Sequence, residues 1–209
     1  ALTGEIMKAW NESTFVVGNI GTPYTTTALS TNEGSITVAE ISSFQLETII
    51  DFNPKVSAIL NVTPDHLDRH GTFEEYAQTK LSITKNQSED QVCVLNYDDK
   101  ITRKFAKKIS AKPVFFSRLT NLEEGVCIKE DAIVLRTKEK EEEICKIKEL
   151  KLLGGHNIEN VMAAVAISYY MGVSVSCIHK VITEFMGVEH RIEYVDTING
   201  VAYYNDSKG

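Results

Sequence analysis

Short apolar runs that recur between amphipathic segments constrain this chain more than any other feature. Thr14-Phe-Val-Val, Ser35-Ile-Thr-Val-Ala, Pro54–Val62, Gln91–Leu95 and Pro113–Phe116 are strand-length and rich in β-branched or aromatic residues. Between the last three lie segments with helical spacing. One follows Thr72-Phe-Glu-Glu, a T-x-x-E capping box that starts a helix near Phe73. Another is Asp98–Ile109, a basic-faced helix with Ile101, Phe105 and Ile109 on its inner side. Strands alternating with helices predict βαβ units and a mostly parallel sheet flanked by helices, an α/β fold. The pattern then changes. Gly125–Lys129, Ala132–Arg136 and Glu142–Lys148 read as strands separated by charged turns alone, which predicts a small antiparallel β meander appended to the main sheet over residues 120–150. Two helices follow, one opening near Gly155 with a stripe of Ile158, Val161, Met162, Val165 and Tyr169, the other over Ser174–Phe185. Strands at Ile192–Val195 and Val201–Tyr204 and a polar turn, Asn205-Asp-Ser-Lys-Gly, complete the pattern. At the other end, Ala1–Trp10 reads as a helix already under way, with Leu2, Ile6 and Ala9 on one face.

In α/β sheets, ligands bind at the carboxyl ends of the strands, and this chain concentrates its polar chemistry there. The densest stretch is Asn61–Lys80, NVTPDHLDRHGTFEEYAQTK, which leaves the strand at Pro54–Val62. It holds His66, His70, Asp65, Asp68, an arginine and a lysine. Lys80 falls on the apolar side of the following helix, so it either snorkels to water or meets a buried anionic partner. Glu40 sits at the end of another strand and is followed by Ser42, Ser43 and Gln45. That set suits a hydrated Mg²⁺ ion, or equally a capping carboxylate. Glu47 reads as a surface residue or as a competitor of Glu40 for the same role. Gly18-Asn-Ile-Gly permits a tight turn or a close approach of backbone to ligand. Asn157 and Asn160 lie three apart in the first turn of their helix, where paired amides can read a purine edge or a phosphate, or simply cap the helix. His156 reads as structural and His179 as a packing or surface residue.

Composition removes other classes. Lys+Arg number 22 against 29 Asp+Glu, a net charge of −7, and no basic stripe marks a nucleic-acid footprint. The four cysteines lack paired metal-ligand spacing and read as buried thiols of a reducing compartment. With no membrane-length apolar run and no leader pattern, the expectation is a soluble, cytoplasmic protein without membrane insertion.

Taken in order, Gly18-Asn-Ile-Gly, Glu40-Ile-Ser-Ser-Phe-Gln-Leu-Glu, Asn61-Val-Thr-Pro-Asp-His-Leu-Asp-Arg-His-Gly-Thr, Tyr76-Ala-Gln-Thr-Lys, Gly155-His-Asn-Ile-Glu-Asn, Glu189-His-Arg-Ile-Glu and Asn205-Asp-Ser-Lys resemble the Mur ligases of peptidoglycan synthesis along essentially the whole chain. Ser-Ser-Phe-Gln-Leu-Glu favours the member that joins D-glutamate to UDP-N-acetylmuramoyl-L-alanine. The resemblance implies a Rossmann-like, P-loop-NTPase-type sheet. It also implies that residues 1–209 are the central ATP-binding domain, incomplete at both ends. In the family a P-loop precedes the helix that begins here at Ala1, so this chain by itself is expected not to turn over ATP. For the full-length enzyme, expected to be a monomer, the resemblance implies catalysis and metal binding by Glu40, His66 and Lys80. Glu40 would hold one Mg²⁺ and His66 a second, with Lys80 carbamylated as an anionic ligand, since an ammonium has donors only. ATP would be contacted by Asn157, Asn160, Arg191, Asp206 and Lys208, and the UDP-linked substrate by Asn19, Ser42 and Gln45. His70 and Asp68 would orient the loop. Two other readings remain open: a ligase for another amino acid, such as a different Mur ligase or a folate polyglutamate ligase, and an inactive binding or folding module.

Overall fold

A computed structural model describes residues 1–152 and 154–207. Helix α1 (Leu2–Trp10) leads into β1 (Thr14–Gly18) and the short α2 (Tyr24–Thr27). Next come β2 (Ile36–Glu40), α3 (Ser43–Leu46), β3 (Val56–Ile59), α4 (Leu67–His70) and α5 (Phe73–Leu81). Strand β4 (Val92–Asn96), α6 (Lys100–Phe105), β5 (Lys112–Ser117), β6 (Gly125–Lys129), β7 (Ala132–Arg136) and β8 (Glu141–Lys146) follow. The chain continues through α7 (Gly155–Met171), α8 (Val175–Glu184), β9 (Glu193–Ile198) and β10 (Val201–Asn205).

The α/β class predicted from the strand–helix alternation is observed. Strands β3 to β8 form one sheet in chain order, parallel from β3 to β6 and antiparallel from β6 to β8. The meander is therefore continuous with the main sheet, since β6 pairs with β5 through Phe116–Val126 and Ser117–Cys127. Strands β1 and β2 pair with each other, in parallel, in a separate two-stranded sheet, and β9 with β10 in an antiparallel hairpin.

Alternation along the strands divides the interior. Val92 and Val94 of β4, with Val114 and Phe116 of β5, face a core shared with α1, α7 and α8. Cys93 and Leu95 face the other way, onto Tyr76, Ala77 and Leu81 of α5 and Phe105 of α6. Burial on both faces is why Val92-Cys-Val-Leu reads as an unbroken apolar run. Ile36 and Val38 of β2 pack against the first core, so the small parallel sheet rests on the same helical layer. Residues Val161–Ala166 of α7 are buried all round, more than the single stripe its spacing predicted. This helix lies between the sheet and two other helices, and a helix apolar on all sides belongs in an interior.

Two local expectations shift. In α1, Met7 is buried and Ala9 exposed, so the inner face is Leu2, Ile6 and Met7. Helix α6 is shorter than its apolar spacing predicted. Asp99 caps it, its Oδ1 accepting from the backbone N–H groups of Ile101 and Thr102 at 2.8 Å each. Past Phe105 the backbone tightens, with Lys108 N–H donating to Phe105 O, and Ala111 is buried in the α5–α6 core just before β5 begins at Lys112. The capping box at α5 is present as predicted. Glu75 N–H donates to Thr72 Oγ1 (3.2 Å) and Thr72 N–H to Glu75 Oε2 (3.0 Å). Thr72→Ala should lower stability by about 1 kcal/mol, read from the urea midpoint, while Thr72→Ser keeps most of it.

Cys93, Cys127, Cys145 and Cys177 are free, the first three buried. Burial pushes the Cys93 thiol up to about 11 and that of Cys145 up to about 12, so neither is a ready nucleophile. Among the described residues, no helix is long and apolar enough to cross a membrane.

Candidate functional site

The carboxyl ends of β1 and β2 are locked together. Gly18 pairs with Glu40, and Asn19 N–H donates to Glu40 O at 2.7 Å. The Asn19 side chain donates to Glu40 Oε1 at 3.3 Å, so the exposed carboxylate is aimed by its neighbour across the strand pair. Gly18 has φ +113, and a Cβ there would lie 2.1 Å from Glu40 O. The glycine is what lets the two strand ends approach this closely.

After Glu40 the chain turns at Ser42. Ser42 and Gln45 form a reciprocal capping box: Ser42 N–H donates to Gln45 Oε1 at 2.8 Å, and Gln45 N–H to Ser42 Oγ at 3.3 Å. The Ser-Ser-Phe-Gln segment thus builds α3. Its outer side meets the His-rich loop. Phe44 stacks on the His70 ring (centroids 5.6 Å, planes 4° apart) and lies 5.0 Å from His66. His70 Nε2 is 3.0 Å from Ser43 Oγ, and Nδ1 is 3.6 Å from Glu47 Oε1. With its side chain only 3% exposed, His70 is the pin between α3 and the loop. Glu47, read from sequence as a surface residue, receives Arg69 through both guanidinium positions at 2.8 and 3.4 Å. The Arg69 guanidinium holds its carboxyl below the usual carboxylate range. Asp68 is exposed and takes no part in these contacts.

His66 occupies the N-cap of α4 with φ 51, a left-handed conformation that costs a non-glycine residue energy. Asp65 offsets part of that cost by accepting from His66 N–H at 2.9 Å, with its other oxygen 3.5 Å from His66 Nε2. On α5, Tyr76 lies 5.2 Å from His70, and Lys80 Nζ sits 5.0 Å above the Tyr76 ring. Phe44, His70 and Tyr76 therefore form an aromatic bridge with His66 at one end and Lys80 at the other. Half-buried, the lysine meets no carboxylate among the described residues, and a ring face is its partner.

The second set of predicted residues falls on the start of α7 and on the β9–β10 hairpin. Asn157 is half-buried and Asn160 exposed in its first turns. The β9–β10 hairpin is entered through His190 (φ 68) and Ile192 (φ 46), and a left-handed β-branched residue is a strained one. Asp206 Oδ1 accepts from Ile192 N–H at 3.0 Å, so this aspartate fixes the backbone beside the exposed Arg191. Lys208 lies outside the described residues. His179, expected to be a packing or surface residue, places Nδ1 2.7 Å from Ile144 O, whereas His156, expected to be structural, is exposed. Among the described residues, no group of three or more His, Cys, Asp or Glu side chains is placed to hold a metal. A metal bound through Glu40 or His66 therefore needs ligands of another kind.

Comparison with known proteins identifies this frame. A sequence model of the Mur ligase middle domain matches residues 2–168. The chain belongs to the Mur ligase family. It is 53% identical over 208 residues to the UDP-N-acetylmuramoylalanine–D-glutamate ligase of Lachnoclostridium phytofermentans, covering 100% of this chain and 46% of that relative. It is 46% identical over 209 residues to the enzyme of the same name from Clostridioides difficile, with the same coverage. The chain thus spans about half the length of the curated relatives it matches. Among solved structures, MurF ligase of Thermotoga maritima in complex with ADP superposes with TM-score 0.68 at 20% identity, over 98% of this chain and 50% of that one. The UDP-N-acetylmuramoylalanyl-D-glutamyl-2,6-diaminopimelate–D-alanyl-D-alanyl ligase of Acinetobacter baumannii gives TM-score 0.73 at 18% identity, over 98% and 47%. These two show that the Mur ligase fold is shared.

Three residues of this site escaped the sequence reading. Asp98, Arg118 and Glu159 tie the ends of β4 and β5 to α7. Asp98 Oδ2 accepts from the N–H groups of Arg118 (2.8 Å) and Leu119 (3.1 Å), and Arg118 Nε donates to Glu159 Oε1 at 2.9 Å. The available signal was position: Asp98 and Arg118 each stand just past the carboxyl end of a predicted strand.

Proposed function

We propose that this chain is the nucleotide-binding middle part of a ligase that joins D-glutamate to UDP-N-acetylmuramoyl-L-alanine at the expense of ATP, in peptidoglycan synthesis. The observation that carries this reading is identity of 46–53% across the whole chain to ligases of that name, a span that includes every strand end described above. In the reaction, a carboxylate oxygen of the UDP-linked substrate attacks the γ-phosphorus of ATP, and the bond to ADP breaks. The amine of D-glutamate then attacks the acyl carbon. A C–N bond forms, phosphate leaves with one of the former carboxylate oxygens, and the nitrogen gives up two protons in all to solvent.

The chain's own residues position these groups. Glu40, and His66 together with a carbamylated Lys80, would hold Mg²⁺, which would supply charge neutralisation for phosphoryl transfer. The donor chemistry fits: an exposed carboxylate aimed by Asn19, an imidazole on a strained cap, and an amine at the far end of one aromatic bridge. The neutral amine of Lys80 would add to carbon dioxide, releasing one proton, and the resulting carbamate would offer the metal an anionic oxygen. Asn157, Asn160, Arg191, Asp206 and Lys208 take the nucleotide side. Asn19, Ser42 and Gln45 take the UDP-linked substrate, with the Ser42–Gln45 cap making the segment stiff enough to present them.

The test is phosphate release by the full-length protein with ATP, Mg²⁺, UDP-N-acetylmuramoyl-L-alanine and single amino acids. D-glutamate should support turnover, while L-glutamate, L-lysine and diaminopimelate should not. Turnover with one of those in place of D-glutamate would sink the assignment.

A further inference from the structure

We propose that Arg118 is a positioning residue for the nucleotide, acting through the first turns of α7; this rests on the reading that Asn157 and Asn160 contact ATP. The geometry is a three-part brace. Asp98, at the turn after β4, accepts Ser117 Oγ–H at 2.6 Å as well as the Arg118 and Leu119 N–H groups, which fixes the backbone where β5 ends. From that anchored backbone the Arg118 side chain crosses to α7 and donates Nε–H to Glu159 Oε1 at 2.9 Å. Glu159 lies between Asn157 and Asn160 in sequence, so the ion pair grips the turn that carries both amides. The pair is sheltered, with side-chain exposures of 34% and 22%.

The guanidinium also packs against the helix. A Cβ at Gly155 would lie 3.3 Å from Arg118 Cζ and 3.4 Å from Nε, so the absence of a side chain at 155 leaves the plane of the guanidinium its place. Arg118 thus sets both the tilt of the first turn, by contact with Gly155, and its rotation, by the bond to Glu159. Gly154, with φ +89, sits at the entrance to the helix. A helix entered through a glycine gains orientation from an external brace, and a planar fork supplies it better than an ammonium. Among the described residues Arg118 is the cation paired with Glu159, so removing it takes away that partner of the first turn.

The experiment uses the full-length protein with three changes, Arg118→Gln, Arg118→Lys and Gly155→Ala, and Asn160→Ala as the check on the reading beneath. KM is measured separately for ATP, for the UDP-linked substrate and for D-glutamate, alongside kcat and the thermal midpoint. Arg118→Gln should raise KM for ATP by roughly five- to ten-fold and leave the other two KM values within about two-fold. Arg118→Lys should recover part of that loss, because an ammonium can reach Glu159 but cannot lie flat on Gly155. Gly155→Ala should raise KM for ATP by a few-fold while the thermal midpoint holds or rises, since alanine favours helix; a merely structural brace would not separate the two readouts. An unchanged KM for ATP in Arg118→Gln overturns the proposal, as does a uniform loss of kcat and midpoint with no change in the KM ratios. If Asn160→Ala also fails to move KM for ATP, the nucleotide reading of this turn falls with it. If Asn160→Ala does move it and Arg118→Gln does not, the positioning role alone is lost.

Discussion

Replacing Lys80 by alanine in the full-length protein is expected to lower ligase turnover by about 10³-fold or more, the scale on which a charge-stabilising group at a phosphoryl centre counts. Its thermal midpoint should move little. The two readouts separate because Lys80 is half-buried at the edge of the α5 core, where alanine keeps the helix and removes only the contact to Tyr76. Lys80→Arg should be as inactive as the alanine variant. A guanidinium can sit over the Tyr76 ring as the ammonium does, but it cannot be deprotonated and so cannot become a carbamate. This comparison distinguishes a positive charge over a ring from an anionic ligand made from an amine. A Lys80→Arg enzyme working within ten-fold of the parent would show that charge alone suffices. A ¹³C carbamate signal from the parent in labelled bicarbonate, absent in both variants, completes the test.

The second large effect concerns stability. Gly18→Ala should cost about 3 kcal/mol or more, combining the penalty of a left-handed backbone with overpacking. The added methyl would fall 2.1 Å from Glu40 O and 3.0 Å from Glu40 N, both backbone atoms that cannot swing aside. The β1–β2 register would have to open where Asn19 and Glu40 meet. Gly21→Ala is the natural comparison. Its φ is +67 but nothing lies within 4 Å of the added carbon, so only the backbone penalty applies, about 1–2 kcal/mol. Urea unfolding of both variants measures the difference. Equal midpoints would mean that the Gly18–Glu40 approach carries no strain of its own.

What the sequence made legible follows from how local each signal is. The parallel strands, the Thr72–Glu75 capping box and the helix at Gly155 are written within a few residues, and each stands where it was expected. The short α6 was not legible from apolar spacing. Its end is decided by the need to bury Ala111 and start β5, a tertiary demand that overrides periodicity. The site divides the same way. Glu40 stands at a strand end and His66 on the loop as their positions in sequence predicted, whereas the metal roles given to them and to Lys80 of α5 rest on the family resemblance. The roles of their neighbours depend on contacts across 20 to 40 positions. Glu47 became a partner of Arg69 and His70 only when α3 and the loop met, and Arg118 found Glu159 across 41 residues. Asp206 shows a further limit: an acid two positions from a lysine suggests ligand chemistry, yet one of its oxygens also restrains a strained isoleucine.

The β9–β10 ribbon has a consequence for the behaviour of the chain in solution. Tyr194, Val195, Ile198, Val201, Tyr203 and Tyr204 are all exposed, on a two-stranded sheet whose outer edges pair with no other strand among the described residues. Residues of high β-propensity on an open edge are the template on which chains stack edge to edge. Glu193 and Asp196 are the charges within these strands and Asp206 follows β10, and such charges act as gatekeepers against fibrillar growth. The ribbon is therefore where shelf life is decided: Asp196→Asn, which takes a charge out of it, should hasten aggregation of stored protein.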